Sequence, residues 1–284
     1  MPWLPDFVTA VELARRQIRE DGHADPVGQY VAALDRGDAR TLEDAWPAEV
    51  IVCDPVAGEV RGHRELRRFV RRSRSLLAER HARIETLAST VAGDRAVVEL
   101  LVHLSGDGSD VAWPVAVVAE SPDDRSVTFR SYFSRGPVSG RPELRPAILR
   151  PGNSRPGDVV GRYHAALTAG DVDAVVGTFA SDGGYLREAA APQCVHRGTA
   201  ALRAFFSLRC GSGGVTLEPC SVTDDHVRCA VEYNCVRWGG HDLLPQAGVA
   251  VYRRGADGLL AAAHVYDDVQ APAGLSAARR SGVL

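Results

Sequence analysis

Tyr30-Val31-Ala32-Ala33-Leu34-Asp35-Arg36-Gly37-Asp38 returns 133 residues later as Tyr163-His164-Ala165-Ala166-Leu167-Thr168-Ala169-Gly170-Asp171. Apolar positions at helical spacing, stopped by glycine, predict a helix end in both places. The match continues outward. Arg61-Gly62 followed by Leu66-Arg67-Arg68-Phe69 falls opposite Arg197-Gly198 followed by Leu202-Arg203-Ala204-Phe205, now at an offset of 136. Phe129-Arg130-Ser131-Tyr132 falls opposite Ala263-His264-Val265-Tyr266. Order and spacing hold over ~110 residues, the signature of a duplicated unit. A total length of 284 residues suits two domains.

The first copy reads as helices over Asp25–Asp35, Ala39–Trp46 and Gly62–Leu77, with a strand at Glu49–Cys53 before the third helix. Strand-like runs follow at Ala82–Val91, Arg95–Leu104, Val111–Ala119 and Ser126–Ser134. Helices first and antiparallel strands afterward predict an α+β fold, with helices on one face of a curved sheet. The expected boundaries are an N-terminal helix over 1–24, a first domain over 25–135, a linker over 136–157, a second domain over 158–270 and a flexible tail over 271–284. Prolines at 137, 142, 146, 151 and 156 make the linker an extended connector rather than a packed element. In the N-terminal segment Phe7, Val8, Val11, Ala14 and Ile18 sit at helical spacing.

Composition narrows the function. The net charge of −3 gives no basic field for nucleic acid and no polybasic segment for anionic lipid. All 33 basic residues are arginine, so lysine Schiff-base chemistry is excluded. No apolar run reaches the ~18 residues of a membrane span. Asp6 and Glu12 interrupt the N-terminal apolar stretch, which is therefore no signal peptide. The six cysteines form no CxxC pair and read as reduced thiols of a cytoplasmic protein.

Tyr30-Val31-Ala32-Ala33-Leu34, Gly37-Asp38, Asp54-Pro55-Val56 and Arg61-Gly62 resemble the ketosteroid isomerases. That family belongs to the NTF2-like group, with the SnoaL-like polyketide cyclases and the limonene-epoxide-hydrolase-like proteins. The resemblance covers most of both copies. It implies two tandem NTF2-like (cystatin-like) cones, each a sheet wrapped around a deep apolar pocket. It also implies that Tyr30 is an oxyanion donor and Asp54, 24 residues later, the general base. An apolar cone makes a lone carboxylate more basic, and a phenol stabilises a developing enolate without carrying charge. The family's second donor is an acid on a late strand; here that stretch reads Trp113-Pro114-Val115-Ala116-Val117.

Asp54 is read from its neighbours alone as either a base at the cone mouth or a turn former. Trp113, His103, Arg130 and Tyr132 are further candidates for contact with substrate in the first cone. In the second copy Tyr163 and Glu188 are candidates for contact with substrate: twenty-four residues beyond Tyr163 lies Arg187, with Glu188 next as a substitute base if the strand shifts by one, so only one of the two faces inward. His264, Tyr266 and Asp267, with Tyr233, Trp238 and His241, are candidates for a different polar pocket in the second copy. A second copy kept only for packing is the alternative.

No GxGxxG, P-loop or metal cluster appears, and no cofactor is expected. The leading expectation is a cofactor-free isomerase or cyclase acting on a hydrophobic, polycyclic or polyketide-type small molecule by acid–base catalysis in the first domain. The alternatives are epoxide opening of the polyether type, with His81 or Glu85 as partner to Asp54, and a non-catalytic ligand-binding or assembly module. The tandem copies read as a fused dimer, with further association left open.

Overall fold

The computed structural model describes residues 24–106, 110–141 and 143–269. The expected N-terminal helix and C-terminal tail lie outside the described residues, apart from Ala24. The chain divides into two compact units, one holding residues up to 131 except 113–115, the other holding the rest.

The first repeat runs α1 (Pro26–Arg36), α2 (Arg40–Ala45), β1 (Glu49–Asp54), β2 (Gly58–Arg61), α3 (His63–Glu79), β3 (Arg83–Ala92), β4 (Arg95–Leu104), β5 (Val111–Asp123) and β6 (Ser126–Phe133). A short helix, α4 (Gly136–Ser139), follows. The second repeat runs α5 (Val159–Ala169), α6 (Val172–Gly177), β7 (Tyr185–Glu188), β8 (Val195–Arg197), α7 (Gly198–Cys210), β9 (Val215–Asp224), β10 (Arg228–Trp238), β11 (His241–Arg254) and β12 (Leu260–Tyr266). Each repeat forms its own six-stranded sheet, ordered β2-β1-β6-β5-β4-β3 and β8-β7-β12-β11-β10-β9. The β1–β6 and β7–β12 pairs are parallel. The fold is therefore α+β with two tandem NTF2-like units. The hairpin strand β2 was not expected from the sequence, since four residues with one buried side chain, Val60, carry too little pattern.

The quoted motif works as a hinge between helices. Gly37 and Gly170 end α1 and α5 at φ values of 74° and 71°, left-handed conformations that any side chain would strain. The aspartate after each turns back onto the next helix. Asp38 accepts the amide of Arg40 at 3.0 Å, and Asp171 caps α6 through the amide of Ala174 at 2.9 Å. Asp25 and Asp158 cap α1 and α5 in the same way.

The connector opens with the helix α4, and the stretch beyond it is not free of partners. Ala147 donates to the carbonyl of Pro245 at 3.0 Å, and Ala247 donates to that of Arg145 at 2.9 Å. Gly152 donates to the carbonyl of Pro219 at 2.8 Å. The side chain of Asn234 reaches the carbonyl of Leu149 at 2.9 Å. Proline removes donors but keeps carbonyls, and the alanine and glycine between the prolines supply the missing amides.

Candidate active site

In the first repeat, Tyr30 is buried and stacks on Phe129, with ring centroids 4.5 Å apart. Burial pushes its hydroxyl well above the usual phenol range, and the charge of Asp54 adds to that push, against a hydrogen bond with Ser131. Asp54 ends β1. Its Oδ1 accepts the amides of Val56 and Ala57, both at 2.8 Å, so this oxygen builds the turn into β2. Of the two readings open from sequence, the geometry of Oδ1 is that of the turn former.

The other first-repeat candidates do not gather around Tyr30. Trp113 donates from Nε1 to the carbonyl of Ser134 at 2.9 Å. His103 is partly exposed and lies 3.3 Å from Glu85. The buried guanidinium of Arg130 is tied to Glu120 at 2.7 Å, and Arg95 shares that carboxylate. Tyr132, which falls within the second compact unit, donates to Glu232 at 2.7 Å.

The second repeat resolves the Arg187–Glu188 ambiguity. In the parallel pairs, Val52 lies opposite Phe129 and Leu186 opposite Ala263. Phe129 and Ala263 are matched positions, so Glu188, two residues past Leu186, stands where Asp54 stands in the first repeat. One residue is inserted between α5 and β7, which is why counting from Tyr163 lands on Arg187. Arg187 pairs with His264 on the opposite face of the strand.

Glu188 faces a cavity lined also by Tyr163, Leu167, Leu186, Phe205, Phe206, Arg209, Val215, Leu217, Tyr233, Tyr252, Val265 and Asp267. The free volume of this cavity is about 30 Å³, the room of about one water molecule. Its wall is mostly aliphatic and aromatic, and its polar groups form two linked pairs. Arg209 Nη1 meets Glu188 Oε1 at 2.8 Å. The Tyr233 hydroxyl donates to Asp267 Oδ2 at 2.5 Å.

Burial raises the Asp267 carboxyl above its ordinary value, against the opposing pull of Arg209 and of the Tyr233 hydrogen bond. Arg209 is desolvated, but Glu188 and Asp267 more than offset this and keep it cationic. Its guanidinium lies 4.6 Å from the Trp238 ring centroid and 5.4 Å from that of Phe205. Tyr252 is oriented from behind by His164 Nε2 at 2.9 Å. Burial, then the charge of Arg155, holds that imidazole down at about 4.

Of the second-repeat candidates, Tyr163, Glu188 and Tyr233 therefore line one cavity, and Trp238 packs beneath its arginine. His264 does not join them: it alternates with the cavity-facing Val265 and meets the Tyr185 hydroxyl at 3.0 Å. Arg209 was not singled out from sequence. Its signal was the spacing Leu202, Phe205–Phe206, Arg209 on one helical face, which turns the arginine inward with the apolar residues. Among the described residues, no group of three or more His, Cys, Asp or Glu side chains is placed to hold a metal ion.

The SnoaL-like domain matches this chain twice, over residues 27–131 and 160–263. The chain belongs to the SnoaL-like family. That family includes polyketide cyclases and isomerases. Among solved structures, the SnoaL-like chain is similar to one from Sinorhizobium meliloti described as a polyketide cyclase, at 22% identity, covering 38% of this chain and 92% of that one, with a TM-score of 0.32. It is similar to a protein of ketosteroid isomerase-like fold from Catenulispora acidiphila, solved with trimethylamine, at 16% identity over 39% of this chain and 86% of that one, with a TM-score of 0.33. A SnoaL-like protein of unknown function from Burkholderia thailandensis matches at 20% identity over 37% and 87%, with a TM-score of 0.30. No curated protein matches the chain. No helix among the described residues of this SnoaL-like chain is long and apolar enough to cross a membrane.

Proposed function

We propose that the chain is an enzyme, a cofactor-independent isomerase or cyclase of an apolar, polycyclic or polyketide-type small molecule, with its chemistry in the second repeat. The observation that carries this reading is the meeting of Asp267–Tyr233 and Glu188–Arg209 in one apolar cavity. Two carboxyl groups in contrasting surroundings divide the labour of proton transfer. Glu188, an ion-paired carboxylate at the position the family gives its base, takes a proton from carbon beside a carbonyl. The electron pair moves to the carbonyl oxygen. Asp267, which burial favours in its protonated form, and the Tyr163 phenol donate to that oxygen as charge develops. Glu188 then returns the proton to another carbon, which completes an isomerisation. In a cyclase the enolate carbon instead attacks a second carbonyl of the same molecule, and the new alkoxide takes the proton.

A second reading, epoxide opening, draws on the same pair of carboxyl groups. One would protonate the epoxide oxygen, and the other would activate the incoming nucleophile. A placement in the first repeat at Tyr30 and Asp54 rests on the reach of Asp54's charge to the Tyr30 hydroxyl.

The test is turnover of a panel of cyclic ketones, poly-β-ketones and epoxides by the whole chain and by Asp267→Asn, Glu188→Gln and Asp54→Asn. Loss in the first two variants with Asp54→Asn active supports the second repeat. Loss confined to Asp54→Asn moves the chemistry to the first. Which compound class turns over separates enolate chemistry from epoxide opening.

A further inference from the structure

The outer face of α3 carries more positive charge than the fold requires. Between His63 and Arg80 the sequence holds seven arginines and two glutamates, in a chain whose net charge is −3. The inner face, Leu66, Phe69 and Val70, is buried in the core of the first repeat. The second repeat supplies an internal control. In α7, Leu202 and Phe205–Phe206 keep the inner face, but Ala200, Ala204, Ser207 and Leu208 stand where α3 has Arg64, Arg68, Arg71 and Arg72.

The shared arginine shows what the fold does need. Arg67 binds Glu43 of α2 at 2.6 Å, and its counterpart Arg203 binds Asp173 of α6. Both tie the long helix to the short one before it. Arg74 reaches Asp35 of α1 at 4.0 Å, but among the described residues Arg64, Arg68, Arg71 and Arg72 show no ion pair to another helix. Arg68 meets Glu65 of its own helix at 3.0 Å, and Arg71 reaches back to the carbonyl of Arg67 at 3.2 Å. Arg64, Arg68, Arg71 and Arg72 are all exposed. Positions 64, 68 and 72 repeat at four-residue spacing and form one stripe ~12 Å long.

We infer that this stripe is a docking surface for an acidic protein partner that presents carboxylates on a helical face. Guanidinium forks match carboxylates in bidentate geometry, and a compact acidic patch can meet one helix without meeting the rest of this acidic chain. A membrane fits less well, because the apolar face of α3 is already committed to the core and cannot insert. A nucleic acid fits less well too. Its charge extends well beyond a ~12 Å stripe, the chain as a whole is net negative, and no exposed aromatic side chain is interleaved in the stripe for base stacking.

The inference is tested on the full chain with a fluorescent 16-residue polyglutamate peptide, a 16-base-pair DNA duplex and phosphatidylserine vesicles. One triple variant, Arg64→Gln/Arg68→Gln/Arg72→Gln, removes the stripe. Another, Arg162→Gln/Arg237→Gln/Arg253→Gln, removes the same charge from the second repeat. The expected result is salt-sensitive binding of polyglutamate, weakened at least ~10-fold by the stripe variant and less than ~2-fold by the control, since only local charges act within a Debye length. Absence of polyglutamate binding overturns the inference. So does equal loss in the two variants, or tighter binding of duplex or vesicles than of the peptide.

Discussion

In the first repeat Leu100, Phe133 and Ser73 occupy the positions that Tyr233, Asp267 and Arg209 hold in the second. The helices, the strand orders and the Gly-Asp hinges are the same in both. The first repeat has two apolar side chains and a serine at these points, where the second gathers a carboxyl group, a phenol and a guanidinium. Burying a charged group costs several kcal/mol unless its partners offset it. The first repeat shows that the fold forms without a charged group at these three points, although it buries Arg130 elsewhere. The polar cluster is thus surplus to folding, and surplus that opposes stability points to chemistry.

Substitutions can break this contrast. The largest expected effect is kinetic: Asp267→Asn lowers kcat by ~10²–10³, the usual share of an oxyanion donor, while Asp54→Asn changes it less than ~3-fold, because asparagine still caps the turn. Steady-state kinetics of both variants decide it. Next is stability. Glu188→Gln leaves the buried Arg209 without its carboxylate and destabilises the second repeat by ~3 kcal/mol in urea unfolding. The double variant Glu188→Leu/Arg209→Met, which restores an apolar interior, recovers most of that loss. Asp54→Ala removes two accepted amides from the first repeat and costs ~1 kcal/mol by the same measurement.

The smallest effect is a slope with pH. The Asp267 carboxyl binds its proton more tightly folded than unfolded. Its contribution to stability is full below the ordinary value of 3.8 and is lost as pH rises to the folded value. Asp267→Asn flattens that part of the urea-midpoint profile.

The duplication, the class of fold and most element boundaries could be read from the amino-acid string, because helix and strand periodicity is local. The site was legible only in part. Glu188 stood one residue out of register when counted from Tyr163, and the inserted residue shows only in the pairing of β7 with β12. Asp54 carries the family's spacing, yet Pro55-Val56-Ala57 makes a turn that claims its Oδ1. Arg209 lies in the last turn of a helix whose other arginine, Arg203, is exposed, and charge in a last turn usually points to solvent. His264 alternates away from the cavity, a matter of face that strand register alone settles.

The hydrogen-bonded connector sets where the second repeat can be cut free. The SnoaL-like match begins at residue 160, but Arg145, Ala147, Leu149 and Gly152 are laced to β9, β10 and β11. A fragment starting at the family boundary would strip those strands of their lateral partners and bare backbone groups along the sheet. The second compact unit itself begins at Tyr132, whose hydroxyl binds Glu232, so an expression boundary drawn from sequence similarity alone would fall ~30 residues too late.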